Sequence, residues 1–410
     1  MTAVRPARRS IAPVVAVWAA FLLAHGSSTA LGWVWPNQPM GDTYLVYEPW
    51  SDLALSGQAI MGVTDAWVYP PLALAPMVMA RALVWFSSYS LAWAVLVTAL
   101  DVVAFALLVR RGSSRGRLAA AWFWAAFVLA LGPIALFRLD AVTVPIAVVG
   151  LLLAGAHPRI AGALVGAATW IKVWPAALVA ALVISLRSRG HVIVGGAVCS
   201  AVIVGVVALA GGTEHLLGFV TTQGERGLQI EAVAATPFMF GLGGAEVYYD
   251  QVMLTYQLTG AGVDATAAAL GPIMAACVAA ICALGVWRVR RGSPRTRILP
   301  PLALALVVAL IVCNKVGSPQ FLTWLIAPLV AWIVWDRARA WGPALLALAT
   351  ALLTHIVYPV VYDQILMTDT VAITVLALRG ALVVALGIWA VVRLARTPTP
   401  AREQVMRDRT

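Results

Sequence analysis

Residues 91–117 read LAWAVLVTALDVVAFALLVRRGSSRGR. The run 91–109 is apolar apart from Asp101, and it closes on Arg110, Arg111, Arg115 and Arg117. About 20 apolar residues in a helix span the roughly 30 Å hydrocarbon layer of a bilayer. Arginines collect on the cytoplasmic side because they resist translocation. The stretch therefore reads as a membrane helix ending inside, and 118–136 as the next helix going out. The same cadence recurs along the chain. Further apolar runs occupy 11–35, 142–156, 160–186, 191–211, 265–287, 298–313, 321–335, 341–360 and 371–392. Composition agrees: the 410 residues are 62% hydrophobic and 11% charged, and mean hydropathy is +0.91. A soluble domain is nearer half apolar and a quarter charged. Soluble, disordered, collagen-like and disulfide-framework readings are excluded.

The net charge of +11 would raise nucleic-acid binding in a soluble protein; here retention of basic loops explains it. Threading all the arginine clusters to the inside places 22 of the 28 basic residues there, and 13 of the 17 acids outside. Arg5, Arg8 and Arg9 set the N-terminus inside. Ser28-Thr29-Ala30 loosely resembles a secretory cleavage site, but the many later spans favour a retained first helix. The run 160–186 has basic residues at both ends and Lys172-Val173-Trp174-Pro175 in its middle. Proline breaks a helix, so this run reads as a re-entrant pair with Lys172 near its tip. The expected architecture is all-α and polytopic, with about 12 membrane helices and both termini cytoplasmic. One membrane domain covers 1–396, and 397–410 forms a disordered cytoplasmic tail. Two long segments, 36–90 and 212–264, face outward. Within the first, the run from Tyr69-Pro70-Pro71 to Phe86 is short and broken by Arg81, which suits an interfacial helix. The four cysteines (Cys199, Cys277, Cys282, Cys313) lie in apolar stretches and read as small core residues. Arginine outnumbers lysine 26 to 2, which points to a GC-rich bacterial genome.

The chemistry-bearing residues fall on the outer face. Asp42 follows the first span among Tyr44, Tyr47, Glu48 and Trp50, with Asp52 beyond. A carboxylate there could take a hydroxyl proton while aromatic faces stack on a sugar; a solvated acid in an aromatic belt looks the same. The second loop carries Glu225, Arg226, Gln229 and Glu231. A guanidinium binds phosphate through two parallel hydrogen bonds, though Arg226 could instead pair with Glu225 or Glu231. Lys315 and Gln320 follow a later span, and Arg138 sits with Asp140 in a short turn that could be a local ion pair. Lys172 would cost about 2.5–3.5 kcal/mol unpaired at mid-depth, so it is either functional or balanced by a partner such as Asp101. Glycine-rich nucleotide loops, metal-ligand clusters and serine or cysteine nucleophile signatures do not occur. An activated donor must then arrive through the membrane, or the protein does no covalent chemistry.

Four stretches carry a resemblance. They are Asp42 with Tyr44 and Tyr47; Trp67-Val68-Tyr69-Pro70-Pro71; Trp170-Ile171-Lys172-Val173-Trp174-Pro175; and Ser318-Pro319-Gln320-Phe321-Leu322-Thr323-Trp324. In this order, over roughly 30–360, the chain resembles the GT-C membrane glycosyltransferases of family 87, polyprenyl-phosphate-mannose-dependent α-mannosyltransferases of actinobacteria. The resemblance implies a GT-C fold in the plasma membrane and inverting transfer on the outer face. The donor would be polyprenyl-phosphate mannose, the acceptor a glycolipid or lipoglycan hydroxyl. By position Asp42 would be the base, with Glu48 and Asp52 close by. Tyr44, Tyr47, Glu48, Tyr69, Arg138, Lys172, Glu225, Arg226, Gln229, Lys315 and Gln320 would line the substrate site. The resemblance calls for no metal, soluble cofactor or nucleic-acid partner. An arabinosyl donor, or a flippase without covalent chemistry, would fit the same spans. A flippase would more often show internal repeats.

Overall fold

The computed structural model describes residues 11–110, 114–224 and 226–399; the expected tail beyond 399, the arginines before Ile11 and Glu225 lie outside these. The described chain is helical apart from one hairpin. Helix α1 (Ala12–Val34) is followed by a wide turn and the short α2 (Glu48–Leu55). Next come α3 (Leu74–Arg81), α4 (Tyr89–Val109), α5 (Arg115–Leu131), α6 (Asp140–Leu153), α7 (Pro158–Ile171), α8 (Ala176–Ser185) and α9 (Arg189–Leu209). The second long loop holds α10 (Gly218–Gly224), α11 (Thr236–Met239) and strands β1 (Glu246–Asp250) and β2 (Thr255–Thr259). Helices α12 (Val263–Arg290), α13 (Arg295–Val312), α14 (Ile326–His355), α15 (Tyr362–Leu366) and α16 (Thr370–Ala395) complete the fold. Among the described residues, eight helical segments are long and apolar enough to cross a membrane.

Local chemistry sets the boundaries. Ser88 and Ser114 accept hydrogen bonds from Leu91 N and Arg117 N at the starts of α4 and α5. Asp369 does the same for Ala372 N at the start of α16. Such caps satisfy amides that a helix start leaves without partners. The run after Pro71 forms the short helix α3, which buries Met77 and Ala80; beyond it Trp85 stands 84% exposed. The runs 321–335 and 341–360 meet within α14, where Asp336 leaves helical geometry at φ −148°, ψ 67°.

Helix α5 packs on α1 and α14, α13 on α16 and α8, and α7 on α9. The core between them holds Trp93, Trp124, Phe21, Phe105 and Phe127. Within it His25 Nε2 lies 2.9 Å from Asp101 Oδ2. Asp101 is thus spoken for by α1 and is not the partner of Lys172. The cysteines are half-buried and free, and Cys282 packs against the core. Segments 36–88, 172–175, 212–262 and 314–325 gather at one end of the bundle. There Gly212 abuts Val63, and Gly317 abuts Glu231. The arginine-rich turns gather at the other end, where Arg297, Arg339, Arg393 and Arg396 converge.

Candidate active site

Asp42 stands in the turn after α1, and its neighbours hold that turn rigidly. Asn37 and Gln38 take φ of +59° and +47°, and Asn37 Nδ2 donates to Pro359 O at 2.9 Å. Thr43 Oγ1 donates to Met40 O and lies 2.6 Å from Ser90 Oγ. Arg138 Nε sits 3.2 Å from Asp42 Oδ2; the arginine side chain is 7% exposed and the aspartate 35%. Arg138 also donates through Nη1 to Pro39 O at 2.6 Å and Phe137 O at 2.9 Å. Its guanidinium lies 6.0 Å from the Tyr358 ring centre, and the Tyr358 hydroxyl donates to Asn37 O. The result is an anchored carboxylate with one side open. Arg138 and Asp140, two positions apart in sequence, pair with different partners.

Asp140 instead serves the broken helix. Helix α7 stops at Ile171, and Lys172 adopts an extended backbone ahead of Pro175. Lys172 Nζ lies 3.3 Å from Asp140 Oδ2 and 4.5 Å from the Tyr69 ring centre. Trp324 Nε1 donates to Asp140 Oδ1 at 2.6 Å, and Trp324 stacks on Trp174 at 5.7 Å. One buried carboxylate therefore fixes the lysine, the break and the segment after Pro319 together.

The second loop is pinned to the segment after α13. Gln229 N donates to Lys315 O, Gly317 N donates to Gln229 Oε1 at 2.6 Å, and Lys315 Nζ donates to Gly224 O at 2.7 Å. A Cβ at Gly317 would run into the Glu231 backbone. Glu231 Oε2 faces Arg379 Nη1 at 3.5 Å, with both side chains under 5% exposed; Arg379 also donates to the Glu231 and Gly317 carbonyls. Burial pushes the Glu231 carboxyl up to about 7 against the pull of Arg379 and Arg138. Arg226 is thus not the partner of Glu231, and its Nε is buried without a hydrogen-bond partner among the described residues. Burial and the Arg226 charge lower the Lys315 ammonium from its ordinary value, and the same charge acts on Lys172. Arg226 thus lies within electrostatic reach of Lys315 and of Lys172, and Asp140 already balances the latter. Gly317→Ala is expected to push this loop off its seat. Overpacking of this kind costs about 1–3 kcal/mol and should appear as a lower melting temperature.

The remaining candidates sort by geometry. Glu48 and Asp52 both bind Arg81, at 3.1 and 2.7 Å, and burial raises Glu48 from its ordinary value despite Arg81. Tyr47 is 1% exposed, packs at a tilt against Trp93 and accepts from Leu139 N at 3.1 Å. Its ring face is closed to a sugar, which corrects the stacking expected of it; it is a wedge under the Arg138 turn. Tyr44 turns to Gln38 Oε1 at the surface. Gln229 spends both ends of its amide on Gly317 and Thr255, which makes it a structural strut. Gln320 is half-buried in the turn that carries Trp324, and Glu225 lies outside the described residues. Asp42, Arg138, Tyr69, Lys172, Arg226 and Lys315 remain at the same end of the bundle. The structure adds Asp140, Trp324, Tyr358 and Arg379, which sequence reasoning missed as site builders. Arg379, a lone cation in an apolar run, was the visible signal; Tyr358 gave none. Among the described residues, no three His, Cys, Asp or Glu side chains gather to hold a metal ion.

Residues 67–319 match the model of glycosyltransferase family 87. The chain belongs to that family. It is a multi-pass membrane glycosyltransferase, and the transporter reading falls away. The matched span contains Tyr69, Arg138, Lys172, Arg226 and Lys315 and begins after Asp42. A comparison with curated proteins gives no match.

Proposed function

We propose that this family 87 enzyme transfers mannose from polyprenyl-phosphate mannose to a hydroxyl of a cell-envelope glycolipid or lipoglycan. The reaction takes place on the extracytoplasmic face of the plasma membrane. What supports this reading is a partly exposed carboxylate, Asp42, at the same end of the bundle as Lys172, Arg226 and Lys315. Asp42 would accept the proton, and Arg226 and Lys315 would meet the phosphate, with Lys172 held nearby by Asp140. The acceptor O–H gives its proton to Asp42 as its oxygen bonds to the anomeric carbon. The bond from that carbon to the phosphate oxygen breaks, and polyprenyl phosphate leaves with the electron pair. The cations stabilise charge that grows on the leaving phosphate, the form of assistance that lowers a barrier. Direct displacement inverts the anomeric centre. Tyr69, which lies against Lys172, offers a half-buried ring beside this site.

The purified enzyme in lipid, given labelled polyprenyl-phosphate mannose, polyprenyl-phosphate arabinose or a nucleotide sugar with a panel of envelope glycolipids, tests the reading. Label is expected to move from the mannosyl lipid. Transfer only from the arabinosyl lipid, or only from the nucleotide sugar, overturns it. Arg226→Ala and Lys315→Ala should each reduce use of the lipid donor by about ten- to a hundred-fold, the worth of a charge-assisted hydrogen bond. Arg226→Lys should rescue incompletely if the guanidinium contact is bidentate. Steady-state kinetics against donor and acceptor separately check this; unchanged donor kinetics in both alanine variants would move the phosphate to Arg138 or Lys172.

A further inference from the structure

A second site lies at the arginine-rich end of the bundle, far from Asp42. Helices α7 and α9 touch backbone to backbone there: Gly162 abuts the Val192 carbonyl and Gly195 the Arg159 carbonyl, so any Cβ would collide. This seam brings His157, Pro158, Arg159 and Ile160 beside His191, and an open cavity of about 430 Å³ lies between them. His157, Arg159 and His191 are all exposed. No Asp or Glu occurs between Asp140 and Glu214, so none of α7, α8 or α9 offers these groups a carboxylate. Arg187 and Arg189 add charge in the adjoining turn. Helix α12, which packs on α8, brings Arg288, Arg290 and Arg291 to the same end. The flank of the cavity is apolar and open: Ile160 is 51% exposed, Ile193 and Val194 50%, and Val198 59%. A rim of hydrogen-bond donors above an exposed aliphatic wall matches a phosphate attached to acyl chains. Retention of basic loops explains positive charge at this end; it does not call for a cavity with an aliphatic flank.

We propose that this cavity binds an anionic phospholipid, its phosphate held by His157, Arg159 and His191 and its acyl chains lying along α7 and α9. The test counts lipids retained by the full-length protein in native mass spectrometry after equilibration with phosphatidylglycerol or phosphatidylcholine. Preferential retention of phosphatidylglycerol is expected. Arg159→Gln should weaken that retention about five-fold, the weight of one cation beside an anionic surface, and a His157→Ala, Arg159→Gln, His191→Ala triple variant should abolish the preference. Arg290→Gln with Arg291→Gln removes two exposed charges at the same end and should leave it intact. Equal retention of phosphatidylcholine overturns the proposal. So does a triple variant that behaves as wild type, or a control pair that loses as much as the triple and so reveals diffuse attraction only.

Discussion

Asp42→Asn is expected to lower sugar transfer by about 10²- to 10⁴-fold, the usual worth of general-base assistance, while folding and donor binding persist. The substitution keeps size and shape but removes proton acceptance. Arg138 would keep its bonds to the Pro39 and Phe137 carbonyls, so the turn should hold. Asp42→Glu should recover little, because a base displaced by about 1 Å loses its alignment. Glu48→Gln and Asp52→Asn should be mild, since both carboxylates face Arg81 on α3 and not Arg138. Single-turnover transfer from labelled lipid donor separates these variants. A full-rate Asp42→Asn enzyme would remove the base from this position.

Arg379→Met should be the most damaging change to stability. Breaking a buried pair by removing one partner costs about 3–5 kcal/mol, because the other charge stays behind without compensation. Here that group is Glu231, which would be left buried either bare or forced to take up a proton, and losing its seat would also release Gly317 and, through Gln229, the Lys315 segment. Glu231→Gln combined with Arg379→Met should recover part of the loss, since no bare charge remains. Thermal melting in detergent checks the order: the single variant lowest, the double between it and wild type. A single variant melting with wild type would show that the pair does not hold the loop.

The helices were legible because each is an apolar run closed by arginine, a pattern read locally. The break at Lys172–Pro175 was legible for the same reason: proline acts on its own turn. The pairings were not legible. His25 with Asp101, Arg138 with Asp42, Lys172 with Asp140 and Arg379 with Glu231 join residues 32 to 148 positions apart. No periodicity records such a contact. Adjacency even misled, since Arg138 beside Asp140 reads as a local pair while each serves a different segment. The β1–β2 hairpin carried a strand signal in Val247-Tyr248-Tyr249 and Thr255-Tyr256, obscured by its place in a loop between spans. Asp42 was visible as an acid after the first span. Its difference from Glu48 and Asp52 is one of place: it pairs with Arg138, which also lies by Tyr358, whereas those two pair with Arg81 on α3.

The most direct measurement is the anomeric configuration of the product formed from synthetic polyprenyl-phosphate mannose of one defined anomer, read by NMR. Asp42 acting as the base, with cations to receive the leaving phosphate, requires a single displacement, so the product should carry the inverted configuration. A retained configuration would require a covalent sugar intermediate, and would contradict direct attack assisted by Asp42.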